Sequence, residues 1–207
     1  ELAEQVNTKN DLRREFDSSI TEEALAMIES DESLRVAKST VLFKNTWHKG
    51  VIGIVAARCI EKYYRPTVIL IESNNKITGS ARSVNGFNLY EAMLSCSDLL
   101  EKFGGHKYAA GLTMDASNLK AFQERFETVV SRSITEDMLT PVIEIDVPIL
   151  FDKITPKFLN VLKQIAPFGA ENQKPVFEAS RVYVVNALSS FKERHIRFLA
   201  GQDGNES

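Results

Sequence analysis

The sequence is poor in the residues that build metal and redox centres. Its 207 residues include two cysteines, three histidines and one tryptophan. Cys59 and Cys96 make no Cys-x-x-Cys pair, so they cannot build a metal site by themselves. Both fall in apolar helical patterns, which predicts buried free thiols in a reducing compartment. His48, His106 and His195 are widely spaced and lack companion aspartates. No apolar run approaches the roughly 18–20 residues of a membrane-spanning helix, and no signal-peptide layout opens the chain. A cytoplasmic location with no membrane partner is therefore expected. An initiating methionine is also missing. The chain starts at Glu1 inside a helical pattern and ends in the loop composition of residues 201–207. Both ends are expected to be cuts through a longer protein, with part of its chemistry outside this chain.

What is present is an ordinary globular composition, 43% hydrophobic and 26% charged, enough to build one large domain or two small ones. The net charge of −3 is unevenly spread. Residues 1–30 carry three basic and eight acidic groups, and residues 31–133 carry fourteen basic and ten acidic. A positive middle segment in an acidic chain points to an anionic ligand, although scattered solvated lysines give the same sum. The densest local signal is Lys102 to Gly111, where Gly104, Gly105 and Gly111 accompany His106. Paired glycines allow a sharp turn and close approach to backbone N–H groups. By itself the run reads as a tight turn into a strand.

Taken in order, residues 1–30 read as an acidic amphipathic helix or helix pair, with a break near Ser18-Ser19 and Thr21 as a new N-cap. Residues 39–72 read as a βαβ unit: strand Thr40–Phe43, helix Gly50–Tyr64, and the continuous apolar strand Thr67–Ile71, whose lack of alternation predicts burial on both faces. The link from Thr46 to Gly50 lies where open α/β sheets bind ligands. Trp47 and His48 read there equally as ligand contacts or as a core lid and a surface residue. Asn74-Asn75 reads as a hairpin turn into a strand from Lys76 to Val84. Ser80, Arg82 and Ser83 on that strand offer hydroxyl and guanidinium donors suited to phosphate, with Gly79 and Ala81 leaving room. Asn88 is expected to cap a helix through Leu100. Leu112–Met114 reads as a strand, and Ser117 as the cap of a helix with a stripe from Leu119 to Val130. Glu124, Arg125 and Glu127 are assigned to its solvated face. Thr135 to Pro141 reads as a linker. Beyond it, strands at 142–147, 176–185 and 194–199 and a helix opened by Thr155-Pro156 make an incomplete β domain with an open edge.

Three motifs in this order, Trp47 to Arg58, Gly79-Ser80-Ala81-Arg82-Ser83, and Phe103-Gly104-Gly105-His106 through Gly111, resemble the DHH phosphoesterase superfamily. Within it, Ala166-Pro167-Phe168-Gly169 and Asn172 to Phe177 are most similar to the RecJ family of single-stranded-DNA-specific exonucleases, at the entry to its OB-like domain. The resemblance implies an α/β fold: a DHH-associated domain with a mixed, partly parallel sheet flanked by helices, preceded by a connector and followed by part of an OB-like domain. The corresponding boundaries are 1–33, 34–134 and 141–207.

The resemblance further implies a 5′-to-3′ exonuclease of DNA repair and recombination, with single-stranded DNA as substrate and a single-strand-binding protein or helicase as partner. Its two divalent ions, manganese or magnesium, would clamp the attacking and leaving oxygens of a phosphodiester. Carried over residue by residue, Ser80 and Arg82 match phosphate-gripping positions, and Gly104, Gly105 and His106 match the Gly-Gly-His substrate loop. His48 and Arg58 are further candidates in the first motif. This sequence has no Asp-His-His motif, so no catalytic or metal-ligating residue is assigned within it, and no metal is expected to bind this chain. Two other readings stand beside this one: a phosphodiesterase for short oligonucleotides or cyclic dinucleotides, and a non-catalytic single-strand-binding or interaction module. The purified chain supplied with manganese is expected to leave single-stranded DNA uncut, and cleavage in that assay would contradict the assignment.

Overall fold

Residues 2–30 form one helix, α1 (Leu2–Ser30), without the break expected near Ser18-Ser19, in this computed structural model, which describes residues 2–169, 171–186, 189–191 and 195–203. Thr21 does not cap a new helix. Its hydroxyl faces the Asp17 carboxylate at 3.5 Å, one turn back, and Asp17 is itself buried. Only the second half of α1 packs: Ile20, Ala24 and Ile28, four residues apart, are buried, whereas Val6, Leu12 and Phe16 are exposed. Asp31 caps α2 (Glu32–Val36), its carboxylate accepting from the N–H groups of Ser33 and Leu34.

Strand β1 (Thr40–Phe43), helix α3 (Ile52–Tyr63) and strand β2 (Thr67–Ser73) form the expected βαβ unit, with β1 and β2 parallel. Residues 67–71 are all buried. The buried Arg65 guanidinium locks this unit to α2, donating to Thr40 Oγ1 at 2.8 Å, to the carbonyls of Leu34 and Arg35 at 2.6 and 3.2 Å, and to that of Ala37. Asn74 and Asn75 both take positive φ, 54° and 57°, the two-residue turn that matches the twist of a hairpin. It joins β2 to the antiparallel β3 (Lys76–Arg82). With β4 (Lys102–His106) and β5 (Ala109–Met114), the sheet runs β1-β2-β3-β5-β4. It is the mixed, partly parallel sheet flanked by helices that the resemblance implies.

The sheet separates two apolar layers. On one side Leu42, Ile69 and Ile71 pack against α1 and α3. On the other, Val68, Leu70, Ile77 and Leu112 meet α4 (Leu89–Leu94) and α5 (Leu119–Ser133), whose Phe122, Phe126 and Val130 are fully buried. Helix α4 stops six residues short of the expected end. Ser95 Oγ bonds back to the Glu91 carbonyl at 2.9 Å, and the chain tightens into a single 3-10 turn at Ser97–Leu99. Ser117 does not cap α5: it lies in a 3-10 turn, Ala116–Asn118, capped by Asp115, which accepts from the Ser117 N–H at 3.0 Å, and α5 follows from Asn118 without a side-chain cap. Glu127 is not merely solvated: its carboxylate accepts from the Lys38 and Ser39 N–H groups at 3.0 and 2.8 Å and from Ser39 Oγ, tying α5 to the start of β1.

The segment read as a linker is partly folded. Glu136–Leu139 forms a 3-10 turn whose Met138 packs over Gly86 and whose Glu136 pairs with Lys38 at 2.8 Å. The chain divides into two units, Glu1–Pro141 and Val142–Ser207. In the second, the strands are shorter than expected. β6 (Val147–Pro148) runs parallel to β7 (Phe177–Glu178), and a positive φ of 54° at Arg181 separates β7 from β8 (Val182–Val184). Helix α6 (Pro156–Ile165) is capped by Thr155 as expected, and its Phe158 meets Phe177 edge-on at 5.3 Å. β9 (Ser189–Phe191) pairs with β10 (His195–Arg197), and β11 (Ala200–Gln202) with β8; the expected strand start at Arg194 lies outside the described residues. Among the described residues no helix is long and apolar enough to cross a membrane.

Removing the carboxylate at Glu127 leaves two partly buried N–H groups unpaired. Glu127→Ala is expected to lower unfolding free energy by about 2–3 kcal/mol, read as a lower urea midpoint at unchanged slope. Glu124→Ala on the same helix should stay within about 0.5 kcal/mol of the parent. Equal effects of the two would contradict the capping role.

Candidate functional site

Alternation along β3 sets the site. Ile77, Gly79 and Ala81 point into the layer covered by α4 and α5, and Thr78, Ser80 and Arg82 point to the opposite face. Gly79 is required there, because a Cβ would lie 2.4 Å from Leu70 Cδ2. On the other face Arg82 Nη1 donates to Ser80 Oγ at 3.0 Å and to the Ala81 carbonyl at 2.8 Å. The first turn of α3 comes down onto this pair at Gly53: a Cβ there would sit 2.6 Å from Arg82 Nη2 and 3.0 Å from Ser80 Oγ. Among the described residues no carboxylate pairs with Arg82. A half-buried guanidinium without an anion, beside a hydroxyl and the first turn of a helix, is suited to bind phosphate.

Register carries the site across the sheet. Ser80 stands opposite Gly111 on β5, and Gly111 opposite Gly104 on β4. Arg82 stands opposite Ala109, and Ala109 opposite His106. Paired residues share a face, so Ser80, Arg82, Gly104 and His106 occupy one side of three adjacent strands. The glycine pair was expected in a turn or loop. It lies instead within the edge strand β4, and the turn itself is Lys107-Tyr108. The reason is the different work of the two glycines. Gly105 has φ +149°, and a Cβ there would lie 2.2 Å from the Ala109 carbonyl oxygen, so it lets β4 close against β5. Gly104 has nothing within 4 Å of its Cβ position and leaves the sheet face bare. His106 Nδ1 accepts from the Tyr108 N–H at 3.3 Å, which places the proton of the neutral ring on Nε2, the outer nitrogen.

The first-motif candidates are placed differently. Arg58 is committed to Asp17 of α1, with Nε to Oδ1 at 3.0 Å and Nη2 to Oδ2 at 2.8 Å; that hydrogen bond raises its pKa. His48 is exposed, stacks on Phe16 at 5.1 Å, and accepts from the Gly50 N–H through Nδ1. Trp47 is the buried lid of the two readings left open, its indole donating to Glu23 at 2.6 Å. Lys44 also bonds Glu23 and, ahead of Trp47, holds its carboxyl below the ordinary range. Burial pushes both free thiols, Cys59 and Cys96, up to about 11, which removes them as nucleophiles.

Gly53 is the site residue that the sequence reading passed over, although a glycine inside an apolar helical run is itself a signal of close approach. Among the described residues no three His, Cys, Asp or Glu side chains come together as a metal site. The donor set does not fit a two-metal centre.

Residues 33–132 match the model of the DHHA1 domain and residues 145–207 that of the RecJ OB domain. The chain is 36% identical over 190 residues to the single-stranded-DNA-specific exonuclease RecJ of Bacillus subtilis, covering 91% of this chain and 23% of that protein. It is 28% identical to the Escherichia coli protein of the same name, over 96% of this chain and 35% of the relative. The chain thus spans about a quarter to a third of the length of these relatives. Among solved structures, RecJ of Thermus thermophilus in complex with Mn2+ aligns over 96% of this chain and 28% of its own, with a TM-score of 0.78 and 28% identity. A Mg2+ complex of the same protein gives 0.77 at 27% identity, covering 100% of this chain and 32% of its own.

The two glycines of β4 are separable by substitution. Gly105→Ala is expected to destabilise the fold by about 2–3 kcal/mol through backbone strain. Gly104→Ala should unfold within about 0.5 kcal/mol of the parent yet weaken binding of a 5′-phosphorylated oligonucleotide. Equal thermal shifts for the two would contradict this division of roles.

Proposed function

The chain belongs to the RecJ family, and on that premise we propose that it forms the substrate-gripping part of a single-stranded-DNA-specific exonuclease working from the 5′ end. The observation that carries the reading is the shared face of Ser80, Arg82, Gly104 and His106, with a guanidinium that no described carboxylate neutralises. Arg82 offers a planar fork to two phosphate oxygens. Ser80 Oγ, already accepting from Arg82 Nη1, can turn its proton outward to a third. His106 presents Nε2–H across the bare backbone of Gly104 and Gly111, where a strand can lie close to the sheet. These groups bind and orient a phosphodiester and stabilise its charge. Two divalent ions, manganese or magnesium, are proposed for the whole enzyme, held by residues other than those described; they would supply Lewis-acid chemistry for phosphodiester hydrolysis while Ser80, Arg82 and His106 hold the phosphate.

The match of residues 145–207 to the RecJ OB model supports single-stranded DNA over cyclic dinucleotides or very short oligonucleotides. A role in cytoplasmic DNA repair and recombination, beside a single-strand-binding protein or helicase, belongs to the same proposal.

In the full-length enzyme Arg82→Ala is expected to lower kcat/KM on 5′-phosphorylated single strands by roughly 10²–10³-fold, with Arg82→Lys recovering part of the loss because charge survives without the fork. Unchanged turnover and affinity in Arg82→Ala would remove the assignment.

A further inference from the structure

The open sheet face continues past the residues so far assigned. Thr78 on β3 stands opposite Thr113 on β5, and Thr113 opposite Lys102 on β4. All three share the face of Ser80 and Arg82, since each is two residues along its strand from a member of that set. The face therefore carries three cross-strand rows: Arg82–Ala109–His106, then Ser80–Gly111–Gly104, then Thr78–Thr113–Lys102. Successive rows are two residues apart, about 6.7 Å. A nucleotide repeat has about twice the backbone bonds of a peptide residue, so one extended nucleotide covers about one row interval.

The three rows differ in chemistry in a way that suits a strand. The first offers a guanidinium and an imidazole. The second is nearly bare: a Cβ on Gly111 would meet only the Gly79 carbonyl, at 3.9 Å, and one on Gly104 would meet nothing within 4 Å. The third is polar again, with two half-buried hydroxyls and an exposed ammonium. Glu101 and Asp115 are engaged elsewhere. Lys76 bonds both Glu101 and Asp115, the latter at 3.2 Å. Asp115 also accepts from the Ser117 N–H and hydroxyl, which with Lys76 holds it down to about 2. Lys76, Glu101 and Asp115 thus close the end of the face as an ion-paired cluster that keeps one negative charge, and among the described residues Lys102 has no ion-pair partner.

We propose that Lys102, with Thr78 and Thr113, forms a second phosphate subsite that holds the phosphate two nucleotides along from the one at Arg82 and His106, the intervening chain lying over Gly111 and Gly104. The inference rests on the proposed function of the first row. The site then recognises the first and third phosphates of one strand, and a single phosphorylated nucleotide fills only half of it.

The test is an NMR titration of the 15N-labelled chain with thymidine 5′-monophosphate and with the 5′-phosphorylated thymidine trinucleotide. The trinucleotide is expected to bind roughly tenfold tighter than the monophosphate, the scale of one charge-assisted hydrogen bond. Lys102→Ala and Lys102→Gln should abolish that advantage and leave the monophosphate affinity unchanged, whereas Arg82→Ala should weaken both ligands. The amide of Thr113 should shift with the trinucleotide and not with the monophosphate. If Arg82→Ala weakens both ligands but the Lys102 variants keep the full trinucleotide advantage, the second subsite is overturned and the first row stands. If Arg82→Ala weakens neither, or the parent binds neither, the reading of the first row falls and the second subsite falls with it.

Discussion

The register that pairs β3 with β5 and β5 with β4 is the constraint on which the site depends. A slip of one residue would send Ser80 and Arg82 into the apolar layer and bring Ala81 out. Several features hold the register where it is. The Asn74-Asn75 turn admits the positive φ that fixes β2 against β3. Gly79 lets Leu70 pass beneath the strand, and Gly105 lets β4 close on β5. The buried side chains of Ile77, Leu112 and Met114 then make the alternative registers costly, since each would expose to water what is now packed against α4 and α5.

Unequal cover of the two sheet faces leaves part of this register open to solvent. One face is closed by α4 and α5. On the other, α1 and α3 shield β1 and β2, and α3 reaches β3 at Gly53, but Gly111 and the alternate residues of β4 stay exposed. The close approach of α3 serves a second purpose. It brings a helix beginning to the edge of the Arg82 guanidinium, where its partial positive charge favours the same anion. The ion pair of Arg58 with Asp17 and the stack of His48 on Phe16 act one step back, fixing α3 and its preceding loop to α1.

Much of this architecture was legible in the sequence because it rests on periodicity and turn chemistry. The unbroken apolar run at 67–71 announced a strand buried on both faces, and Asn74-Asn75 announced its hairpin. What was not legible depends on partners remote in sequence. Glu127 looked solvated by helical position, yet its partners lie almost ninety residues away at Lys38 and Ser39. Glycines at 104 and 105 suggested a turn because local composition cannot distinguish a glycine needed for curvature from one needed for a bare strand face. Arg58 carried a motif position, but whether a guanidinium is free or paired depends on the packing of α1. In the second unit, the run at 176–185 reads as one strand until the positive φ at Arg181 divides it.

The chain thus presents an open sheet face carrying Ser80, Arg82 and His106 in its first unit, with the RecJ OB match in its second. The claim stands or falls on where a nucleic acid lies. The most direct measurement is a crystal structure of the chain with a short 5′-phosphorylated single strand. The account predicts a phosphate between Arg82 and His106 and a backbone path over Gly111 and Gly104. A strand bound elsewhere on the first unit, with this face left bare, would contradict it.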